Sequence, residues 1–189
     1  MLHPGAGRCS VSPEMESSSL SSIPVAGKVL RMTTAAEHGL EVQAWWGKEP
    51  YDPRRVGGDG WPKDARHKPD GRFFTSSWEG HTSAWIEYQA STARAAEARS
   101  VQLFLPDPEA VLYVIDSPDD YDDLVQVYPH YQARPEPCPD WRLFFETEGP
   151  DAVHVTAAGV AQGNPWFASA WTVESTAWLR PRLTLLETP

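Results

Sequence analysis

The chain has 189 residues and a net charge of −10, with 41% hydrophobic and 22% charged residues. This composition is typical of a globular protein and excludes disorder for most of the chain, while the negative charge disfavours a broad nucleic-acid-binding surface. No apolar run approaches the roughly 18 residues that a membrane span needs, so we expect no integral membrane protein.

Residues 1–27 are rich in serine, proline and glycine, which predicts a disordered tail followed by a single α+β domain over 28–189. A short strand is predicted at 29–33, and one or two helical turns are predicted between 35 and 46. The irregular segment 47–71 has a length typical of loops that are functional or mobile. Whether it covers a ligand is left open.

A second strand is predicted at 72–77, and the small-residue spacing after it predicts a helix over 79–99. Two apolar runs separated by a proline-rich turn predict a hairpin of strands at 101–105 and 111–115.

Ser117 and Pro118 are followed by acidic residues, a pattern typical of a capped helix, which we expect to end near Val127. The rest is predicted to be mostly strands, at 141–145, 151–155, 175–179 and 182–186. Because strands and helices do not alternate throughout, the pattern favours an α+β domain with a mixed or antiparallel β core and flanking helices.

The cysteines and histidines indicate no metal site. Cys9 and Cys138 lie far apart, neither has a second cysteine or a histidine at zinc-ligand spacing, and no two of the six histidines share helical metal-binding spacing. Sparse cysteine suits a reducing compartment, and the first residues lack the pattern of a secretory signal. We therefore expect a cytoplasmic protein without a metal cofactor.

Three separated polar groups support a functional hypothesis. Arg31 stands alone in the first apolar strand, where a partly buried guanidinium needs an anion. Thr75, Ser76 and Ser77 end the second strand, and such hydroxyls can hold an arginine or a ribose. Glu174 precedes a late strand, and a carboxylate there can accept hydrogen bonds from a ribose and stabilise an oxocarbenium-like centre.

In this order, the three groups resemble the arginine–serine–glutamate type of the ADP-ribosyltransferase superfamily. The matching patterns are Leu-Arg-Met-Thr around Arg31, Phe-Phe-Thr-Ser-Ser ending at Ser77, and Thr-Val-Glu-Ser-Thr around Glu174. The segment 151–155, Asp-Ala-Val-His-Val, is similar to a strand that many members place before the last sheet strands. The resemblance covers roughly residues 28–186 and implies the ADP-ribosyltransferase fold.

The resemblance also implies a function. The chain would be an NAD-dependent mono-ADP-ribosyltransferase, acting as a toxin or modifying a small molecule, or it would be an NAD glycohydrolase. Glu174 would be catalytic, Arg31 would bind the dinucleotide, and Ser76 would hold Arg31 or Glu174. The cofactor-binding residues would be Arg31, Thr75, Ser76, Ser77, Trp78 and Tyr88, with Trp78 or Tyr88 stacking on the nicotinamide. The acceptor would be contacted by Trp166, Phe167, Trp171 and Thr172.

Two departures from the family pattern bear on the acceptor. The hydroxyl motif reads Thr-Ser-Ser instead of Ser-Thr-Ser. Thr172 stands two residues before Glu174, where arginine-modifying members carry Glu and several others carry Gln. Modification of protein arginine is therefore the less expected activity, and a protein, a nucleotide and a small molecule all stay open as acceptors.

Each of these residues also has a simpler interpretation. Arg31 can be an edge-strand arginine whose head reaches water, and Ser77 can be the N-cap of the following helix. Glu174 can be a solvent-facing glutamate, and His154 can be a structural histidine. Convergence of Arg31, Ser76 and Glu174 on one cleft would favour the enzyme, and side chains on different faces would leave only a binding module.

Two other functions are weighed against the transferase. The alternative is a non-enzymatic module of similar fold that binds a ligand or a protein through a Trp-rich surface, since the chain has nine tryptophans. The third interpretation is a phosphotransferase that acts on RNA 2′-phosphate, and the net charge of −10 argues against it.

Overall fold

The computed structural model of the protein describes residues 28–47, 51, 68–69, 73–92, 100–130, 137–162 and 165–186. The predicted tail at 1–27 and most of the 47–71 segment lie outside these residues. Within the described ranges the chain forms eight strands and six helices, so the predicted α+β class is confirmed. No helix in those ranges is long and apolar enough to cross a membrane.

The elements follow one another in a mixed order. The strands are β1 (Met32–Thr34), β2 (Gln43–Gly47), β3 (Phe73–Ser77), β4 (Ser100–Pro106), β5 (Val111–Ile115), β6 (Ala152–Val155), β7 (Ser175–Trp178) and β8 (Leu183–Leu185). The helices are α1 (Ala35–His38), α2 (Ala84–Ala90), α3 (Pro118–Val127), α4 (Trp141–Thr147), α5 (Ala157–Gln162) and α6 (Pro165–Ala170).

The strands form a single sheet in the order β1-β5-β6-β7-β3-β2-β4-β8. The β5–β6 pair is parallel, and the six other pairs are antiparallel. A parallel pair needs a crossover connection, which here contains α3 and α4. The predicted mixed sheet is therefore confirmed, with β7 near its centre between β6 and β3.

The start of α3 shows how a local signal sets an element. The Ser117 hydroxyl accepts a hydrogen bond from the Asp120 N–H, and the Asp120 carboxylate accepts one from the Ser117 N–H. This capping box satisfies two N–H groups at the helix start, and Pro118 occupies a first-turn position that needs no donor. The prediction of a capped helix that ends at Val127 is confirmed.

The predicted hairpin of two strands is wrong. β4 pairs with β2 and β8, whereas β5 pairs with β1 and β6, so the two strands lie in different halves of the sheet. The local pattern predicted both strands, but the choice of partner depends on residues far away in the chain.

The segment 141–145, predicted as a strand, is helical. The Asp140 side chain accepts a hydrogen bond from the Leu143 N–H and caps α4. Trp141, Phe144 and Phe145 then lie three and four positions apart and are all buried. This spacing puts the three rings on one helix face.

Further differences concern element bounds. The first strand begins at Met32 instead of residue 29, and of the segment 35–46 only α1 is helical, because β2 begins at Gln43. α2 begins at Ala84, where the Ser83 hydroxyl accepts from the Ile86 N–H, so the helix cap is Ser83 and not Ser77. The helix ends at Ala90 with Ser91 as its C-cap, earlier than predicted, and residues 93–99 of the predicted helix lie outside the described residues.

Alternating strand residues build two apolar clusters on opposite faces of the sheet. On the first face, which we call the helical face, strand residues such as Tyr113, Val153 and Ala177 pack with α3, α4 and α6. On the opposite face, Ala152 and Trp178 pack in a smaller cluster. Because neighbouring residues of β6 and β7 point to opposite faces, each strand contributes to both clusters.

Candidate active site

A row of polar side chains crosses the face opposite the helices. In register, Gln43 of β2 is opposite Ser77 of β3, Thr75 of β3 is opposite Thr176 of β7, and Thr176 is opposite His154 of β6. Residues opposite each other share a face, so these five side chains lie together. We call them the polar ladder.

Glu174, directly before β7, lies at the end of the polar ladder. The Ser77 N–H donates to its Oε1 and Oε2 at 3.3 and 3.1 Å, and the Ser77 hydroxyl donates to Oε1 at 3.0 Å. The side chain is only 13% exposed. Burial raises the pKa of Glu174, and the hydrogen bonds from Ser77 oppose that rise. A fixed, largely buried carboxylate with a perturbed pKa is typical of a functional site.

Gln43 connects the members of the ladder. Its Oε1 accepts hydrogen bonds from the Thr75 and Thr176 hydroxyls at 2.9 and 3.1 Å. Its Nε2 donates to the Ser77 hydroxyl at 3.2 Å. The Thr75 hydroxyl also accepts from the Trp178 indole N–H at 2.8 Å. The ladder is therefore a continuous hydrogen-bonded network that ends on Glu174.

His154 lies on the other side of the same carboxylate. Its Nδ1 is 2.8 Å from the Thr176 Oγ1 and 3.7 Å from the Glu174 Oε1, and the His38 ring packs edge-on against it at 4.9 Å between centroids. Burial, with a smaller contribution from His38, lowers the pKa of His154 to about 3. The imidazole is thus neutral at physiological pH, and the carboxylate has no ion pair with it.

Arg31 lies apart from this carboxylate. It is exposed, precedes β1 and lines a cavity of about 480 Å³ together with His38, Glu37, Asp116 and Asp120. Three strand spacings of about 4.8 Å separate β1 from β7, so Arg31 is roughly 14 Å from Glu174 along the sheet. His38 lines the cavity and also touches His154, so it lies between the two.

The three hydroxyl residues of β3 have different environments. The Ser76 hydroxyl accepts from the Trp85 N–H at 3.2 Å and so attaches α2 to the sheet. The contact with Glu174 that was predicted for Ser76 is made by Ser77 instead. Because alternate strand residues point to opposite faces, Ser77 and Thr75 belong to the ladder and Ser76 does not. Arg31, Ser76 and Glu174 therefore do not converge on one cleft as the transferase hypothesis expected.

The residues predicted to contact an acceptor do not form one surface. Phe167 and Trp171 are 1% and 0% exposed, and Phe167 packs on Tyr121 with 4.7 Å between centroids. These two rings therefore pack in the core of the helical face instead of forming an acceptor surface. Thr172 is exposed. Trp166 belongs to α6, and its side chain lies outside the described part of the structure.

The two rings predicted to stack on nicotinamide differ in position. Trp78 is half-buried and follows Ser77 directly, and its N–H donates to the Val42 carbonyl. Tyr88 lies on α2, is partly exposed and packs against Trp85 with 5.8 Å between centroids. Trp78 is thus next in the chain to the residue that holds Glu174, whereas Tyr88 lies on an element attached through Ser76.

Three of the tryptophans that were predicted to form a Trp-rich surface lie in the core instead. Trp141, Trp171 and Trp178 are fully buried. Trp45, Trp46, Trp78 and Trp85 are half-buried. The described tryptophans therefore contribute mainly to the packing of the protein interior.

Two described residues of the 47–71 segment, Tyr51 and Lys68, contact side chains of β3. Tyr51 stacks on the Phe73 ring, with 3.8 Å between centroids. The Lys68 Nζ lies 4.0 Å from the Phe74 ring centroid and 5.0 Å from that of Trp171. Because Phe73 and Phe74 point to opposite faces, the two ends of the segment are attached on opposite sides of the strand that carries Ser77.

Sequence reasoning identified Glu174 and Ser77 but missed the central part of the network. Gln43 lies in a segment that was expected to be helical, so its alternation with Ala44 in β2 was not considered. His38 was not singled out because a lone histidine in a short helix has no motif around it. The pattern Gln-x-Trp with small or aromatic neighbours was the available signal for β2.

The described residues contain no group of three His, Cys, Asp or Glu side chains arranged to hold a metal ion. Comparison with known proteins gives no match, whether to protein-family models, to curated protein sequences or to solved structures. The geometry around Glu174 is therefore the main indication of function.

Proposed function

We propose that the chain is an NAD-dependent mono-ADP-ribosyltransferase or NAD glycohydrolase in which Glu174 is the catalytic carboxylate. The observation that carries this proposal is the attachment of Glu174 to Ser77 through both the backbone N–H and the hydroxyl. The carboxylate is thereby held in one orientation before a substrate binds, which is the condition for electrostatic stabilisation of a transition state.

In the proposed reaction, Glu174 accepts a hydrogen bond from a hydroxyl of the nicotinamide-side ribose. The C–N bond to nicotinamide breaks, and its electron pair leaves with the nicotinamide. The positive charge that develops on the ribose is stabilised by the nearby carboxylate. Water or an acceptor nucleophile then attacks the same carbon and loses a proton, which gives free ADP-ribose or an ADP-ribosylated product.

The electrostatic surroundings of Glu174 suit this role. His154 is neutral at physiological pH because burial lowers its pKa to about 3. The carboxylate charge is therefore not neutralised by its nearest titratable neighbour and is available to a developing cation. In a largely buried position, that interaction is stronger than it would be in water.

Arg31 enters the proposal as a phosphate contact. It precedes β1, which is three strand spacings, roughly 14 Å, from β7 along the sheet. A dinucleotide is an extended ligand, so the group that binds its diphosphate does not need to touch the group that binds the nicotinamide-side ribose. The same cavity is lined by four carboxylates, so the diphosphate contact would depend on the Arg31 guanidinium; the four are those of Glu37, Asp116, Asp120 and Asp123.

Release of nicotinamide from NAD by the purified protein tests the proposal. We expect turnover by the parent and a loss of about 10²–10³-fold in kcat for Glu174→Gln, which keeps the shape but removes the charge. Glu146→Gln is the matched control, because Glu146 is an exposed glutamate of α4 that pairs with Arg142. Absence of both turnover and an NAD-dependent thermal shift would overturn the donor assignment.

A further inference from the structure

We propose that Gln43 is a positioning residue whose side-chain amide directs the Ser77 hydroxyl toward Glu174. The inference deepens the proposed function and rests on it for the catalytic role of Glu174. The hydrogen-bond order itself follows from the side chains of the ladder.

The order begins at Trp178, because an indole N–H only donates. The Thr75 hydroxyl accepts this hydrogen bond at 2.8 Å. It then has one proton to give, and Gln43 Oε1 lies 2.9 Å away. Thr75 therefore donates to the carbonyl oxygen of Gln43.

A second series of hydrogen bonds, from His154 through Thr176, ends at the same Oε1 atom of Gln43. The Thr176 hydroxyl donates to Gln43 Oε1 at 3.1 Å, so it accepts from the His154 Nδ1 at 2.8 Å. The neutral His154 ring consequently carries its proton on Nδ1. Two hydroxyl donors on one oxygen determine which way the Gln43 amide points, and its nitrogen must face Ser77.

The remaining proton assignment follows directly. The Ser77 hydroxyl accepts from Gln43 Nε2 at 3.2 Å and gives its only proton to Glu174 Oε1 at 3.0 Å. A carboxylate only accepts, so the network runs from a donor-only group to an acceptor-only group in one consistent order. A reversed amide would compete with Glu174 for the Ser77 proton.

The burial of Gln43 distinguishes its positioning role from a catalytic role. Gln43 is fully buried, so it touches no substrate and acts through Ser77. The distance from Gln43 to the carboxylate is bridged by a single hydroxyl. Removing the amide is therefore expected to loosen the Ser77 hydroxyl and weaken its hydrogen bond to the ionised Glu174.

The test is a double-mutant cycle read out by the pKa of Glu174, measured by carbon-13 NMR of carboxyl-labelled glutamate and assigned with Glu174→Gln. Ser77→Ala and Gln43→Met are each expected to raise this pKa, because both weaken hydrogen bonds to the ionised form. In the double variant, the pKa is expected to equal that of Ser77→Ala alone.

Two outcomes would overturn the proposal: no shift of the pKa in Gln43→Met, or the same shift whether or not Ser77 has its hydroxyl. If Gln43→Met does not fold, Gln43→Asn keeps the amide but is one methylene too short to hold the Ser77 hydroxyl, and it is expected to raise the pKa of Glu174. Absence of that rise would also contradict the proposed coupling. Gln102→Met is the matched control, a buried glutamine on β4 that is expected to cause no shift.

Activity separates this inference from the proposed function. With NAD as substrate, we expect Gln43→Met to lower kcat about tenfold with little change in KM, and the control Gln102→Met to retain the activity of the parent. If no variant and no parent protein releases nicotinamide, the proposed function fails, and the titration still decides whether Gln43 acts on Glu174 through Ser77.

Discussion

The two faces of the sheet differ in how the same strands use their side chains. On the helical face, residues such as Val153 and Ala177 pack under aromatic rings from three helices. On the opposite face, their neighbours His154 and Thr176 belong to the polar ladder. A shift of one residue along β6 or β7 therefore changes an apolar packing position into a hydrogen-bonding one.

The comparison teaches that one sheet separates stability from chemistry. Apolar burial on the helical face stabilises the fold roughly in proportion to the area removed from water. Buried polar groups on the opposite face contribute little net stability but cost a great deal when one partner is missing. The face with the weaker stabilising effect is the one that holds Glu174 in place.

The largest expected effect tests the helical face. Phe144 of α4 is fully buried and packs edge-on against Tyr113 with 5.3 Å between centroids. We expect Phe144→Ala to lower the free energy of unfolding by about 3–5 kcal/mol, measured by urea denaturation. Leu105→Ala is the control at a half-exposed leucine, expected to cost clearly less. Equal losses in the two variants would break the comparison.

An intermediate effect is expected in the polar ladder. The Thr176 hydroxyl donates to Gln43 and lies 2.8 Å from the His154 Nδ1, so Thr176→Val leaves the buried His154 Nδ1 without its hydroxyl partner and removes one of the two donors to Gln43 Oε1. We expect a loss of about 1–3 kcal/mol in the free energy of unfolding. Thr184→Val, at an exposed threonine of β8, is expected to change it by less than about 0.5 kcal/mol. Similar values for both would mean that the ladder does not need each hydroxyl.

The smallest effect has the opposite sign. Burial raises the pKa of Glu174 above its ordinary value of 4.5, so the folded state holds the proton more tightly than the unfolded state does. The protonated form of Glu174 therefore stabilises the folded state relative to the ionised form. This stabilisation is fully present below pH 4.5 and is lost as the pH rises through the raised pKa of Glu174. We expect Glu174→Gln to raise Tm at pH 8, because the variant removes the cost of burying a negative charge.

The same difference should shrink toward zero below pH 4.5, where the parent glutamate is protonated in both states. Thermal melts of parent and variant across this range measure it. A variant that is less stable than the parent at pH 8 would indicate that the carboxylate stabilises the fold, and Glu174 would then have a structural role.

Local signals were sufficient for some elements and for part of the site. The cap at Ser117 and Pro118 predicts α3 because all its determinants lie within one helical turn. Glu174 and Ser77 could be singled out because each stands at the boundary of a strand with a recognisable pattern. The α+β class followed from the order of such elements.

Other features could not be read from local patterns. Partner strands are chosen by long-range packing, so β4 and β5 looked like a hairpin although they pair elsewhere. The residue that holds Glu174 is 97 positions away from it, and Gln43 is a further 34 positions from Ser77. Which hydroxyl of β3 faces the carboxylate depends on strand register, which is set by the whole sheet.

The central position of β7 has a consequence for how the protein is made. Of the eight strands in the described residues, a ribosome synthesises only β8 after this one, yet β7 pairs with both β6 and β3 and connects the two halves of the sheet. Glu174 emerges on the same stretch of chain. A nascent polypeptide that has not yet released this stretch therefore has a divided sheet and no carboxylate, so the chain acquires its candidate active site only after β7 has left the ribosome.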